Sequence, residues 1–142
     1  FTERAYSVTA GDSLWRLSGR HYREPIYWPH IYRANHHRVT TPDLIYIGDI
    51  LTLPELQEPP DALSIRDRER IAEGYYLVYR YYEAQRHPDA IYALIGVRWF
   101  DPAVYERHRE DLSRQRLRIM ELSPLYGDTV PRLLAGAFGP TR

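Results

Sequence analysis

The chain contains no cysteine, no lysine, a single methionine and no long apolar run. Without cysteine there are no disulfides and no thiolate metal sites. A small cysteine-free fold tolerates an oxidising compartment but does not require one. No apolar stretch approaches the roughly 20 residues that a membrane-spanning helix needs, so no transmembrane segment is expected. Neither sign of charge is in excess: 19 arginines face 19 acidic groups. The balance is also local, with six Arg against seven acids in residues 1–60 and thirteen against twelve in 61–142. A general nucleic-acid or anionic-membrane surface needs a basic excess, so neither partner is expected. The use of Arg to the exclusion of Lys reads as a composition bias. No signal peptide is visible and the chain starts at Phe1 rather than Met, as expected of a trimmed or mature fragment. That start says nothing about secretion.

What is present is concentrated in the first 54 residues. Ala5–Thr9 alternates, with Tyr6 and Val8 on one side, as a short strand does. Gly11 ends it with a residue that accepts positive φ. Asp12 or Ser13 can cap a helix in which Leu14, Leu17 and Ser18 share a face. Pro25 opens a second helix, where Tyr27, Trp28, Ile31 and Tyr32 recur at three- and four-residue steps and Pro29 falls in the first turn. Asn35 is predicted as its left-handed C-cap. Ile50–Leu53 reads as a return strand ended by Pro54. The order is strand, helix, helix, strand, and two strands alone are marginal, so the helices must cover one face of the sheet.

The same residues carry a resemblance. Tyr6-x-Val8, Gly11-Asp12-Ser13-Leu14-Trp15-x-Leu17-Ser18, Tyr22, Trp28, Ile31-Tyr32, Ala34-Asn35 and Pro42-Asp43-Leu44-Ile45-Tyr46-x-Gly48-Asp49-x-Leu51-x-Leu53-Pro54 appear in the order found in LysM domains. The segment resembles that family over about residues 5–54. The resemblance implies a β-α-α-β module that binds N-acetylglucosamine-containing glycans, peptidoglycan or chito-oligosaccharides, in a shallow groove between two loops. Carried over by motif, the groove residues are Gly11, Asp12, Ser13 and Leu14, and Pro42, Asp43, Leu44, Ile45 and Tyr46. Trp15 and Trp28 fall at family positions that usually pack. Ile47 stands where Pro is frequent and Asp49 where Gln is frequent. His36-His37-Arg38 makes the neighbouring span bulkier and more polar than usual.

From Glu55 the pattern changes. Residues 55–61 form a polar, Pro-rich linker. Asp61 or Ser64 can cap a helix to about Arg86, with Ile71, Ala72, Tyr75, Val78, Tyr79 and Tyr82 as its apolar stripe. His87-Pro88-Asp89 breaks it. A second helix follows over Asp89–Phe100, and Asp101-Pro102 starts a third to about Leu122. Residues 123–142 form a Gly- and Pro-bearing tail with room for a short helix at Pro131–Ala137. Residues 72–102 are weakly similar to one tetratricopeptide repeat, with the turn one residue short and Tyr79 in place of a small residue. The fold class predicted is α+β: a LysM module at 5–54, then an all-α region at 62–122.

Catalytic and metal chemistry find no footing. There is no nucleophile elbow and no phosphate loop. His21, His30, His36 and His37 show no helical pairing with a flanking acid of the kind zinc sites use. No cofactor is expected. The acid–base run Glu106–Arg118 reads as a solvated helix face. Five Tyr between 75 and 82 encircle their helix, which suggests a protein interface at Tyr76, Arg80 and Tyr81. The expectation is a non-enzymatic, envelope-associated (periplasmic or extracellular) glycan binder with a helical region for a protein partner or self-association. The alternatives are a LysM-fold adaptor with little glycan affinity and the targeting fragment of a cell-wall hydrolase.

Overall fold

A computed structural model describes residues 3–42, 44–123 and 129–140. The architecture is α+β. Strands β1 (Glu3–Ser7) and β2 (Ile50–Pro54) pair antiparallel, Tyr6 opposite Leu51. Between them lie α1 (Leu14–Tyr22), a 3-10 turn (Pro25–Tyr27) and α2 (Trp28–Asn35). Leu14, Leu17, Ile31, Leu51 and Leu53 are buried between sheet and helices. Tyr22 donates its hydroxyl hydrogen to the Pro54 carbonyl and so ties the end of α1 to the end of β2.

Asn35 does something other than the left-handed cap expected of it. Positive φ falls instead on Arg23, just after α1, and on Arg86. Asn35 is fully buried. Its amide donates to the carbonyls of Ile31 and Thr52 (2.8 Å each), and its side-chain oxygen accepts from the Thr52 amide (2.8 Å). A buried polar side chain must have partners, and here they lock α2 to β2.

The second half is helical: α3 (Ile65–Ala84), α4 (Ala90–Phe100), α5 (Pro102–His108), α6 (Arg114–Glu121) and α7 (Thr129–Phe138). Ser64 caps α3, accepting from the Asp67 amide at 3.0 Å. Helices α3 and α4 form an antiparallel hairpin: Arg68 donates to the Phe100 carbonyl at one end, and the Tyr82 and His87 rings stack at the other. The single third helix expected to Leu122 is interrupted. A 3-10 turn at Arg109–Asp111 ends α5, and Ser113 caps α6 anew, accepting from Arg116. The charged run 106–118 is also not simply solvated. Arg107 reaches Glu69 and Glu73, His108 reaches Glu73, and Arg116 makes two hydrogen bonds to Glu83.

Tyr76 corrects the expected interface. It is buried and stacks on His108 at 3.7 Å between ring centroids, because α5 folds back over that side of α3. Tyr81 is half-buried and shares a hydrogen bond with Thr41, and only Arg80 of the three is exposed.

The two halves share one apolar core. Helix α3 packs on α2 so closely that a Cβ on Gly74 would stand 2.2 Å from the Pro29 carbonyl oxygen. Tyr75 donates to the Ile26 carbonyl (2.6 Å) and Tyr27 to the Pro60 carbonyl (2.6 Å), and Tyr75 stacks on Phe100. Buried Asp67 accepts from the Gln57 amide (2.6 Å), which fixes the linker. Helix α7 buries Val130 and Leu134 and rests on α4 and the Pro25–Tyr27 turn.

Candidate functional site

The loop between β1 and α1 turns at Gly11, whose φ of +84° is open to glycine and strained for side chains with a Cβ. Asp12 follows and is held by four hydrogen bonds. It accepts from the Tyr6 hydroxyl (2.6 Å), the Thr9 amide (2.8 Å), the Thr9 hydroxyl (3.1 Å) and Arg20 (3.1 Å). Burial works to raise its pKa, but the hydrogen bonds from Tyr6, Thr9 and Arg20 outweigh it and hold the carboxyl at about 2. Ser13 then caps α1, accepting from the Arg16 amide at 3.1 Å. Among the described residues, the amides of Leu14 and Trp15 in the first turn have no hydrogen-bond acceptor.

The loop between α2 and β2 is zipped to the first. Val8 and Asp49 exchange a hydrogen bond at 2.9 Å, as do Gly48 and Val8. Asp49 also accepts from the Tyr46 amide (2.9 Å), which closes the Tyr46–Asp49 turn around Gly48 at φ +91°. An acid is therefore suited to this position. Ile45 packs inward, whereas Leu44, Tyr46 and Ile47 are exposed by 48, 62 and 73%, an apolar rim in water.

The two loops meet at a cleft of about 500 Å³. Gly11, Ser13, Leu14 and Pro42 line it; Asp12, Leu44, Ile45 and Tyr46 do not, and Asp43 lies outside the described residues. Residues 6–54 match the LysM domain family. That segment is similar to LysM domains. No curated protein and no solved structure matches the chain. A LysM domain is a carbohydrate- and peptidoglycan-binding module, not a catalytic one, and such modules occur in cell-envelope proteins. Among the described residues, no helix is long and apolar enough to cross a membrane.

The LysM cleft has lining that the sequence reading did not assign to it. Trp15, Arg16 and Trp28 contribute from the LysM side. Tyr82 contributes from α3, His87 and Asp89 from the α3–α4 turn, and Ala137–Pro140 from the end of α7. The His87-Pro88-Asp89 segment was legible only as a helix break, and nothing in the tail's composition marks Phe138 as a neighbour of Trp28. The histidines, by contrast, disperse. His36 and His37 are exposed, and His30 is fully buried beneath Tyr22. Among the described residues no group of three or more His, Asp or Glu is placed to hold a metal ion.

Proposed function

We propose that the chain is a non-catalytic binder of N-acetylglucosamine-containing cell-wall glycan, acting in the cell envelope. The supporting observation is a cleft lined by Gly11, Ser13 and Leu14 at the start of α1 and by Pro42 of the second loop, with Trp15, Trp28 and Phe138 as its apolar lining. An acetamido sugar has the matching chemistry: an amide that pairs with backbone donors and a methyl that seeks an apolar contact. Contacts are few, so a single site binds at roughly 0.1–1 mM. Retention on a wall then comes from repeated copies of the glycan.

The test is a titration of the full chain with chito-oligosaccharides, following the amide signals of Gly11–Leu14 and Leu44–Tyr46. Both sets are expected to move. Gly11→Val should weaken binding and destabilise the loop by about 1–3 kcal/mol, through strain at positive φ. A glycan longer than the cleft would run out over the exposed Leu44–Ile47 rim, so Leu44→Asp should weaken binding of the longer oligomers with little loss of stability, because Leu44 is already half exposed. No shift at millimolar sugar would instead favour an adaptor that has kept the LysM fold without its glycan affinity.

A further inference from the structure

We propose that the helical half forms the second wall of the glycan site, so that an uncharged acetamido sugar is held in a two-sided cleft rather than in an open groove. This rests on the glycan reading above. The cleft is bounded on one side by Ser13–Arg16 and Pro42, and on the other by His87, Asp89 and the end of α7. Its volume of about 500 Å³ lies within the ~300–1,000 Å³ common for small-ligand sites.

Trp28 forms part of the cleft floor. It is 3% exposed and lines the cleft, while its indole N–H is closed off from solvent and meets no acceptor among the described residues. Its signal is therefore a reporter of packing at the floor rather than a direct sugar contact. His87 and Asp89 add a second feature. The Asp89 amide donates to His87 Nδ1 (3.0 Å), which places the ring proton on Nε2, and stacking on Tyr82 at 4.3 Å holds the imidazole in place. The turn therefore offers a ring N–H donor beside a carboxylate acceptor, the pair that a hydroxyl, both donor and acceptor, satisfies. Aromatic faces complete the wall. Phe138 meets Trp28 edge-on at 5.5 Å, and Gly139 lies so near Trp15 that a Cβ there would be 3.2 Å from the indole. Arg16 and Asp89 carry opposite charges, so the lining has no bias toward an anionic ligand.

The experiment uses the full chain with the N-acetylglucosamine trimer. Amide shifts are expected on both walls, at Gly11–Leu14 and at His87, Asp89 and Phe138–Gly139, together with a shift of the Trp28 indole N–H. Asp89→Asn should weaken binding at least about fivefold with the circular dichroism spectrum and Tm unchanged; His87→Ala should weaken it at least as much and, because it removes the stack on Tyr82, also lower Tm. Should either variant lose its fold, the parent's indole and α7 shifts still decide. Shifts confined to the two LysM loops, with a static indole signal, would overturn the two-sided cleft and leave the glycan reading standing. No shift anywhere at millimolar trimer would overturn both.

Discussion

Gly74→Ala tests whether the two halves are one body in solution, because the sign of its effect depends on the answer. In an exposed helix the substitution is favourable by about 1 kcal/mol, since alanine is the better helix former. In this fold the new Cβ would sit 2.2 Å from the Pro29 carbonyl oxygen and 2.6 Å from its carbon, both backbone atoms. No side-chain rotation relieves that overlap, so α2 and α3 must part by about 1 Å to restore ordinary contact. Forced separation of a packed interface costs about 1–3 kcal/mol, and more when backbone has to move. Here it would also stretch the Tyr75–Ile26 hydrogen bond one residue along. The net expectation is a loss of about 1–3 kcal/mol, read as a lower urea midpoint at unchanged slope and a Tm lower by several degrees. Gly136→Ala in α7 is the control, because among the described residues nothing lies within 4 Å of its added Cβ. It should stabilise by up to about 1 kcal/mol. If Gly74→Ala also stabilises by that amount, α3 is not seated on α2 and the shared core is wrong.

His30 should set the acid limb of stability. It is fully buried, and desolvation, followed by the charges of Arg33 and Arg70 and by His21, pushes its pKa down to about 3. The unfolded chain takes up this proton near pH 6.5 while the folded chain refuses it, so stability is full above about 6.5 and falls with pH down to about 3. The slope is about 1.4 kcal/mol per pH unit in that window. His30→Phe should flatten it in urea titrations at pH 4–7, and an unchanged slope would refute the assignment; the Asp12 contribution is lost lower, between its ordinary value and about 2. Asn35→Ala should cost about 2–3 kcal/mol by equilibrium unfolding, because it strands the Thr52 amide in the interior; a loss under about 0.5 kcal/mol would show that the tie between α2 and β2 is dispensable.

The LysM half was legible because its signals are local. Gly11 demands a turn, Ser13 caps the helix after it, and the apolar steps of Trp28, Ile31 and Tyr32 fix which side of α2 faces inward. The break at His87–Asp89 was readable for the same reason. What escaped depends on distant residues. Asn35 looked like a cap because its type favours one, but its partners in β2 lie seventeen residues away. The five tyrosines looked too many for one core. Tyr75 is used by the 3-10 turn of the LysM half and Tyr76 by α5. The fourfold bonding of the Asp12 carboxylate to Tyr6, Thr9 and Arg20 likewise depends on residues up to eight positions away. The half of the cleft that comes from the α3–α4 turn and α7 had no sequence marker, because it arises only from how the helices dock.

That docking links stability to the site through one turn of α2. The carbonyl of Pro29 seats Gly74 of α3, while the adjacent side chain, Trp28, lines the cleft and meets Phe138 of α7. Phe138 in turn lies 6.0 Å from Tyr82 and 6.3 Å from Tyr75, both on α3. Interiors packed to this density do not deform smoothly; a shift at one contact passes to the next. Moving α3 off α2 would therefore move Tyr82 and the His87 ring stacked on it relative to Trp28, and so change the gap between the two walls. A two-stranded sheet with two short helices offers little burial of its own. The helices that supply the missing burial are also those that bound the cleft, which is why the LysM module of this chain is best treated as one face of a single folded unit.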